Sequence, residues 1–424
     1  MNAIFTIVAK NYIGLAQVLE QSVKKHHRAD YFIIVADEFE STIPSGEPLP
    51  SNVLIARDVL GINDALWNEL SFKYNLVEFC TSIKPAAFQY FFNTKKYEKV
   101  VFVDPDVYFF NSIDFVFEQL SNYSIILTPH ILQMQKDFTG DYPDYLFLSN
   151  GTFNLGFLAL SNTSQANRFL EWWHNRLSQY CFFDNDKGMA TDQKWINMLP
   201  SFFSNEDLLI SFHKGMNVAP WNFHERQIKL QGNSLYVTER NTEVNEEPLI
   251  FVHFSGYNYR SLLSHAISHK NETATEFTDY QPVFSQYAVG LKGDFFTKYI
   301  DLKYSYNYFK NGVNIISLNR RLYRRVLQEG EVFVNPFEIG EGTYYAWLKQ
   351  KRLLDSSKIT ADQLTNKTMP GFHSKIKYVH LLFILIKKLI GVKRYSVMLR
   401  FFRRYFTEEN QAFLLDKKYG NKFQ

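Results

Sequence analysis

Two kinds of apolar pattern alternate through the first part of the chain. Apolar runs of strand length occur at 3–9, where only Thr6 is polar, and without interruption at 31–36 and 100–103. Between the first two, the apolar residues recur every three to four positions, as at 13–23. Strands that alternate with amphipathic helices predict an α/β domain with a mostly parallel sheet flanked by helices. Ligands of such sheets bind beyond the carboxyl ends of the strands, so residues that follow a strand are the first candidates for chemistry.

The pattern changes after about Gly256. Charged, Tyr-rich segments with helical spacing run to Lys351, a polar stretch follows, and a basic apolar tail begins near His373. These changes in composition predict four regions: a sheet domain at 1–260, a helical C-terminal extension at 261–354, a linker at 355–372 and a basic amphipathic tail at 373–424.

The tail combines basic and apolar residues. Its apolar run at 381–386 is much shorter than the roughly 20 residues that span a bilayer. Two interpretations stay open: the tail lies in the interface of a membrane with anionic headgroups, or it packs on the protein with a solvated basic face. Before the first acidic residue, Glu408, the basic residues of the tail are Lys375, Lys377, Lys387, Lys388, Lys393, Arg394, Arg400, Arg403 and Arg404.

Composition narrows the class of protein. A chain of 424 residues that is 46% hydrophobic has enough apolar side chains for a folded core, and a net charge of +3 does not call for nucleic acid as a partner. Cys80 and Cys181 form neither a metal-spaced pair nor a disulfide framework. The first residues are too short an apolar run for a signal peptide, so we predict a cytoplasmic protein, at the inner face of the membrane if the tail contacts lipid.

Asp104 and Asp106 follow the apolar strand at 100–103 directly. Two carboxylates that converge at the end of a buried strand need a partner, and a hard divalent cation is a common one. A Mg²⁺ or Mn²⁺ ion held by one or two carboxylates keeps positions free for diphosphate oxygens, which suits a nucleoside diphosphate donor. Aspartates are also common in turns after strands, so the motif alone leaves a structural role open.

Five motifs occur in order along residues 1–260: Ile7 to Tyr12, Val103 to Asp106, Phe153 to Gly156, Asp192 with Gln193, and His253 to Gly256. Together they resemble the nucleotide-sugar glycosyltransferases of the GT-A fold, in particular glycosyltransferase family 8. The resemblance implies a Rossmann-like sheet, a Mn²⁺ or Mg²⁺ cofactor and a nucleoside diphosphate sugar donor, most simply a UDP-sugar. It also implies retaining transfer to a glycan or lipid-linked acceptor in bacterial surface polysaccharide synthesis.

The same resemblance assigns roles to individual residues. Tyr12 would stack on the nucleobase with Asn11 near the ribose, and Lys84 would contact the diphosphate or the sugar. The implied metal ligands are Asp104, Asp106 and His253. The implied catalytic residues are Asp192, which would bind sugar hydroxyls, Gln193, near the anomeric carbon, and Asn154. The implied donor-binding residues are Thr6, Ala9, Asn11, Tyr12, Lys84, Asp104, Gly156, Trp221, Gly256 and Arg260.

Several of these residues also have ordinary structural explanations. Asn11 is a good cap for a helix that begins at Tyr12, and Asp192 suits a helix N-terminus on dipole grounds alone. Trp221 is equally explained as core, and a single histidine after a strand is more often structural. Arg260 stands near the place where the family has a lysine. A second Asp-x-Asp, at 184–186, lies in a polar stretch and is predicted to be a loop.

Two other functions fit parts of the sequence. A nucleotidyltransferase also holds a metal with paired aspartates, but it usually has a glycine- and lysine-rich loop after the first strand, which 9–14 lacks. A carbohydrate-binding or membrane-adaptor protein could keep the fold without catalysis. The intact set of Asp104, Asp106 and His253 favours an enzyme over that alternative.

Overall fold

Two compact units divide the chain. The first is Met1–Ile62 with Leu76–Ser305, and the second is Asn63–Asn75 with Tyr306–Gln424. The fourfold division predicted from sequence stays a prediction, because most of its linker lies outside the described residues. The computed structural model describes residues 1–39, 46–134, 142–184, 187–240, 242, 246–257, 259, 276–292, 294–355 and 371–421.

The first unit is built on a seven-stranded sheet with the order β10-β6-β7-β4-β1-β2-β3. Four of its pairings are parallel, and only β7 runs against both of its neighbours. The predicted α/β class with a mostly parallel sheet is therefore confirmed. The strands of the described chain are β1 Asn2–Val8, β2 Asp30–Val35, β3 Val53–Ile55, β4 Lys99–Val103, β5 Val107–Phe109, β6 Ile125–Pro129, β7 Phe153–Ser161, β8 Phe183–Asp184, β9 Met189–Ala190, β10 Leu208–Ile210, β11 Arg226–Gln231, β12 Ser234–Glu239, β13 Glu247–Pro248 and β14 Phe251–His253.

Helices flank this sheet. The predicted helical region interrupted at Pro85 is two helices, and Pro85 stands in the first turn of the second, where its missing N–H costs no hydrogen bond. The α-helices described in the first unit are Ile13–His26, Ala56–Val59, Leu76–Ser82, Lys84–Asn93, Asp114–Gln119, Asp144–Asn150, Ser164–Tyr180, Gln193–Ile196, Leu199–Phe202, Gln281–Leu291 and Asp294–Tyr299.

The central strands of the sheet are buried from solvent. All nine residues of β7 are buried, which suits a strand covered on both faces, and β4 beside it is buried from Val100 onward. Because β7 is antiparallel to β4, the start of β7 lies at the end of β4. The backbone N–H of Asp104 donates to the Gly156 carbonyl at 2.9 Å and extends the ladder to that point.

The second unit is helical around an aromatic core. Arg320 donates to the carbonyls of Phe72 at 2.7 Å and Tyr74 at 2.9 Å, which satisfies orphan groups at the end of the first of its helices. Among the described residues no helix is long and apolar enough to cross a membrane. The α-helices described in this unit are Asp64–Lys73, Ser317–Gln328, Tyr344–Gln350 and Phe372–Tyr405.

Candidate metal and donor-sugar site

Three potential metal ligands meet at the carboxyl end of β4. Asp104 and Asp106 follow that strand, and the chain then pairs as β5 with β14, which sets His253 opposite Val107. His253 Nε2 lies 3.0 Å from an oxygen of Asp106 and 3.8 Å from an oxygen of Asp104. One ligand atom of each residue lies within 4.8 Å of those of the other two. The structure thus brings together the three residues that the resemblance implies.

The electrostatics of the cluster favour a cation. Burial raises the pKa of Asp104 to about 6, against the pull of Lys84 and His253. Burial also acts to raise the pKa of Asp106, but the His253 imidazole together with hydrogen bonds from Tyr259 and the backbone outweighs it and lowers that pKa. With Asp192 included, three carboxylates face one ammonium group, that of Lys84. The cluster therefore carries two negative charges when His253 is neutral, which a divalent cation would balance.

Asn154 fixes the orientation of the His253 ring. Its side-chain oxygen accepts from the Gly156 backbone N–H at 3.1 Å and lies 3.2 Å from His253 Nδ1. An amide oxygen only accepts, so Nδ1 carries the proton and Nε2 is the nitrogen that faces the carboxylates. Asn154 was predicted to be catalytic by resemblance; in the structure its contacts are with a metal-ligand candidate.

Gly156 makes room for the His253 ring. An added Cβ at this position would lie 2.4 Å from His253 Cε1 and 2.6 Å from Nδ1, far inside ordinary contact. The ring also contacts Trp221, whose ring centroid is 5.2 Å away in an edge-to-face arrangement. Contacts with a strand backbone and with an indole thus limit the movement of the ring.

His130 completes the hydrogen-bonded chain and was not singled out from the sequence. Its Nδ1 donates to the Thr152 carbonyl at 3.2 Å, and its Nε2 lies 3.4 Å from the amide nitrogen of Asn154. Burial lowers the pKa of His130 to about 4, so it is neutral and Nε2 accepts. A signal was available, because His130 directly follows β6, just as Asp104 follows β4.

Lys84 is buried at the start of its helix, with its ammonium group aimed at the site. It lies 2.8 Å from Asp192 and 4.0 Å from Asp104, and it donates to the Leu155 carbonyl at 3.0 Å. Burial acts to lower the pKa of Lys84, but Asp192 and Asp104 outweigh it and raise the pKa. Asp192 makes no helix-capping hydrogen bond, so its place before the helix Gln193–Ile196 is explained by this ion pair.

Gln193 is held by the backbone on both sides of its amide. Its oxygen accepts from the Leu155 N–H at 3.1 Å, and its nitrogen donates to the Asn150 carbonyl at 3.0 Å. The side chain is therefore fixed beside the start of β7, next to Asn154. Asp192, through Lys84, and Gln193, through Asn154, lie next to the metal-ligand candidates, and the catalytic roles that the resemblance implies for them stay predictions.

The donor-binding candidates in β1 and just after it have polar atoms without partners in the described chain and an aromatic contact. The helix predicted to begin at Tyr12 begins at Ile13, and no side chain caps it, so the expectation that Asn11 is its cap is wrong. Instead the Asn11 side-chain oxygen is buried with no hydrogen-bond partner within the described chain, as is the Thr6 hydroxyl. Ala9 is buried, and Tyr12 packs edge-to-face on Tyr259 with 6.2 Å between ring centroids.

The remaining candidates are Trp221, Gly256, Arg260 and the second Asp-x-Asp. Trp221 is 7% exposed, and its indole nitrogen is buried without a hydrogen-bond partner in the described part of the protein. Gly256 has a φ of +81°, which favours glycine in the turn after β14. Arg260 lies outside the described residues. Of the second Asp-x-Asp, Asp184 ends the short strand β8 rather than lying in a loop, and its other two residues are not described.

The residues of the cluster fit a divalent metal. Two carboxylates and one imidazole nitrogen are a donor set that suits Mn²⁺. Because Nδ1 donates to Asn154, Nε2, which lies 3.0 Å from an oxygen of Asp106, is the nitrogen that faces the position of a metal. The set offers only three side chains among the described residues. An ion held there would keep coordination positions for a ligand.

Two curated proteins have sequences similar to that of this chain. No family model matches the chain. The "Uncharacterized protein YfnF" of Bacillus subtilis (strain 168) is 24% identical over 263 residues, which cover 62% of this chain and 83% of the relative. The "Uncharacterized protein YfnD" of the same strain is 27% identical over 183 residues, or 42% of this chain and 54% of that protein.

Solved structures with a similar arrangement are glycosyltransferases. The galactosyltransferase LgtC, in complex with donor and acceptor sugar analogues, is 14% identical with a TM-score of 0.40, over 69% of this chain and 97% of that one. Mouse xyloside xylosyltransferase 1 is 12% identical with a TM-score of 0.35, over 60% of this chain and 98% of that one.

Proposed function

We propose that this protein is a metal-dependent glycosyltransferase of the family 8 type. It would move a sugar from a nucleoside diphosphate sugar, most simply a UDP-sugar, to a glycan or lipid-linked acceptor in bacterial surface polysaccharide synthesis, with retention of configuration. The observation that carries the proposal is the convergence of Asp104, Asp106 and His253 beside the buried Lys84–Asp192 ion pair. That combination offers a place for a cation and a fixed positive charge at the same sheet edge.

The chain's own residues supply charge and orientation to such a reaction. Asp104, Asp106 and His253 would hold Mn²⁺ or Mg²⁺. When bound, the cation neutralises charge that develops on a leaving diphosphate. Lys84 adds a second positive charge, and because its ammonium group is anchored by Asp192 and the Leu155 carbonyl, it needs little reorganisation.

The residues around the cluster would bind the donor. The unpartnered Thr6 and Asn11 oxygens and the Trp221 indole N–H are polar atoms that a polyhydroxylated ligand or a nucleotide would satisfy. Tyr12 would stack on the base, and the fixed amide of Gln193 would line the sugar site. These assignments rest on burial and missing partners in the described chain, and each is open to test by substitution.

Donor selection tests the proposal. In thermal-shift measurements on the full chain, a UDP-sugar with Mn²⁺ is expected to stabilise the protein, by about 2.7 kcal/mol at a hundredfold excess over Kd. GDP-, ADP- and CDP-sugars and nucleoside triphosphates serve as comparison ligands. Asp104→Asn is the matched control, since it keeps side-chain size and removes one metal-ligand charge.

The outcomes separate the candidate functions. Mn²⁺-dependent stabilisation by a UDP-sugar that is lost in Asp104→Asn, together with release of UDP when acceptor glycan is added, supports the transferase. Stabilisation by nucleoside triphosphates alone would point to a nucleotidyltransferase. Stabilisation by a glycan with no effect of any nucleotide sugar would contradict the proposal and favour a binding protein.

A further inference from the structure

The long C-terminal helix of the second unit has no buried residue among those whose side chains are described. Phe372–Tyr405 is broken at Gly391, where φ is 78° and ψ is 158°. The rings of Phe383 and Tyr395, on either side of the break, lie 6.3 Å apart. A continuous helix would separate these positions by about 18 Å. The segment is therefore a hairpin of two shorter helices, here called the C-terminal hairpin.

The first arm of the C-terminal hairpin presents apolar side chains in all directions. Leu381 is 61% exposed and Leu389 75% exposed. Neighbouring residues on a helix point about 100° apart, so four nearly consecutive aliphatic residues cover its whole circumference. A helix that is apolar all round requires an apolar environment, and none of the described residues of the chain buries these side chains. Also exposed in the two arms and just beyond them are Tyr378, Val379, Leu382, Ile384, Leu385, Val392, Val397, Leu399, Phe401 and Phe406.

Charge identifies what that environment is. The hairpin carries nine Lys or Arg residues and no acidic residue between 371 and 407. Since the whole chain has a net charge of +3, the remainder has six more acidic than basic residues. The basic residues cluster next to the apolar ones: Lys387 and Lys388 end the first arm, and Lys393 and Arg394 begin the second. A surface that is both basic and apolar is attracted to anionic lipid headgroups and can bury its apolar side chains among the acyl chains beneath them.

We propose that the C-terminal hairpin binds the surface of a membrane rich in anionic lipids, with its apolar side chains at the boundary of headgroups and acyl chains. The uninterrupted apolar run at 381–386 is about 9 Å long as a helix. A hydrocarbon core is roughly 30 Å thick, so a helix of this length suits a position along the surface. A second copy of the chain is a poor occupant, because a symmetric interface would set nine positive charges against the same nine.

Vesicle binding tests the proposal on the full-length protein, without donor or acceptor, so its outcome is independent of the sugar-transfer proposal. Co-sedimentation is measured with vesicles of phosphatidylcholine alone and of equimolar phosphatidylcholine and phosphatidylglycerol. We expect binding to the anionic vesicles that weakens as salt rises. Lys387→Gln with Lys388→Gln should lower the partition coefficient on the order of 25-fold, since each basic residue contributes about fivefold.

Apolar contact is tested by a matched pair of variants. Leu381→Ser with Leu385→Ser keeps every charge and should reduce binding at least about tenfold, because aliphatic side chains would no longer leave water. Val332→Ser with Val334→Ser is the control, since both valines are 84% exposed and lie outside the hairpin. Its binding should equal that of the wild type. Circular dichroism checks that each variant is folded.

Three results would overturn the proposal. One is wild-type protein that does not bind anionic vesicles at low salt. Another is equal loss of binding in the Val332/Val334 control and in the Leu381/Leu385 variant. The last is a dimer in light scattering that the Leu381/Leu385 substitution dissociates while vesicle binding is unaffected, which would assign the apolar surface to a second copy.

Discussion

Replacing Gly156 by alanine is expected to weaken metal binding without unfolding the protein. The new Cβ would lie 2.4 Å from His253 Cε1, and ordinary contact begins at 3.4 Å, so the two atoms have to separate by about 1 Å. The ring has little room to do so, since it packs edge-to-face on Trp221 at 5.2 Å and Asn154 holds Nδ1 at 3.2 Å. A shift of this size moves Nε2 away from its 3.0 Å position beside Asp106.

The magnitude follows from two effects. Overpacking of a well-packed site costs about 1–3 kcal/mol of unfolding free energy. Misorientation of a ligating histidine costs about 10–100-fold in metal affinity. Gly156→Ala should therefore lower both the free energy of unfolding and the affinity for Mn²⁺. Because the variant should remain folded at room temperature, unfolding would not account for the loss of Mn²⁺ affinity.

The assay is a Mn²⁺ titration of the full chain followed by electron paramagnetic resonance of free Mn²⁺, together with thermal unfolding. Gly340→Ala is the control, because a Cβ at Gly340 meets nothing within 4 Å. If Gly156→Ala bound Mn²⁺ as tightly as Gly340→Ala does, the packing of Gly156 against the His253 ring would not be what positions His253 for the metal. That result would refute the role given to Gly156.

Further substitutions test other parts of the structure. Asp104→Asn and Asp106→Asn should each abolish metal-dependent transfer, checked by UDP release, while circular dichroism stays unchanged; full activity of either would refute its role as a ligand. Lys84→Met should cost about 3–5 kcal/mol of unfolding free energy, because it leaves the Asp192 carboxylate buried without its partner. Denaturant unfolding measures this, and adding Asp192→Asn should recover much of the loss. Burial lowers the pKa of His27 from 6.5 to about 4, so the unfolded state binds the proton first and stability falls as pH drops from 6.5 towards 4, by up to about 3 kcal/mol. His27→Gln should flatten that part of the curve of stability against pH, and an unchanged slope would contradict the assignment.

Local patterns in the sequence were enough to predict the class of fold. The apolar run before Asp104 and the periodic run after Tyr12 reflect burial on one strand and one helix face, so they are visible residue by residue. The interruption at Pro85 was also visible, because a proline lacks the N–H that a helix interior needs. The start of the first helix was misplaced by one residue, since the three residues before Ile13 form a 3₁₀ turn that has no distinct sequence signal.

The candidate metal ligands could be predicted only as separate residues and by resemblance. Whether Asp106 and His253 meet depends on the antiparallel pairing of β5 with β14, a contact between segments far apart in the chain. The same is true of the role of Gly156, which the sequence could not distinguish from a flexible strand glycine. Its importance comes from the His253 ring that packs on it.

The sequence by itself determined which segments are strands and helices, where carboxylates follow strands, and that the C-terminal segment is basic and apolar, because each depends on neighbouring residues. Only the tertiary structure decided that Lys84 pairs with Asp192, that Asn154 orients His253, and that the hairpin around Gly391 leaves its leucines exposed. Those features depend on strand order, register and the packing of distant segments. The physical reason is that burial and hydrogen bonding are properties of a position in space, which local periodicity does not specify.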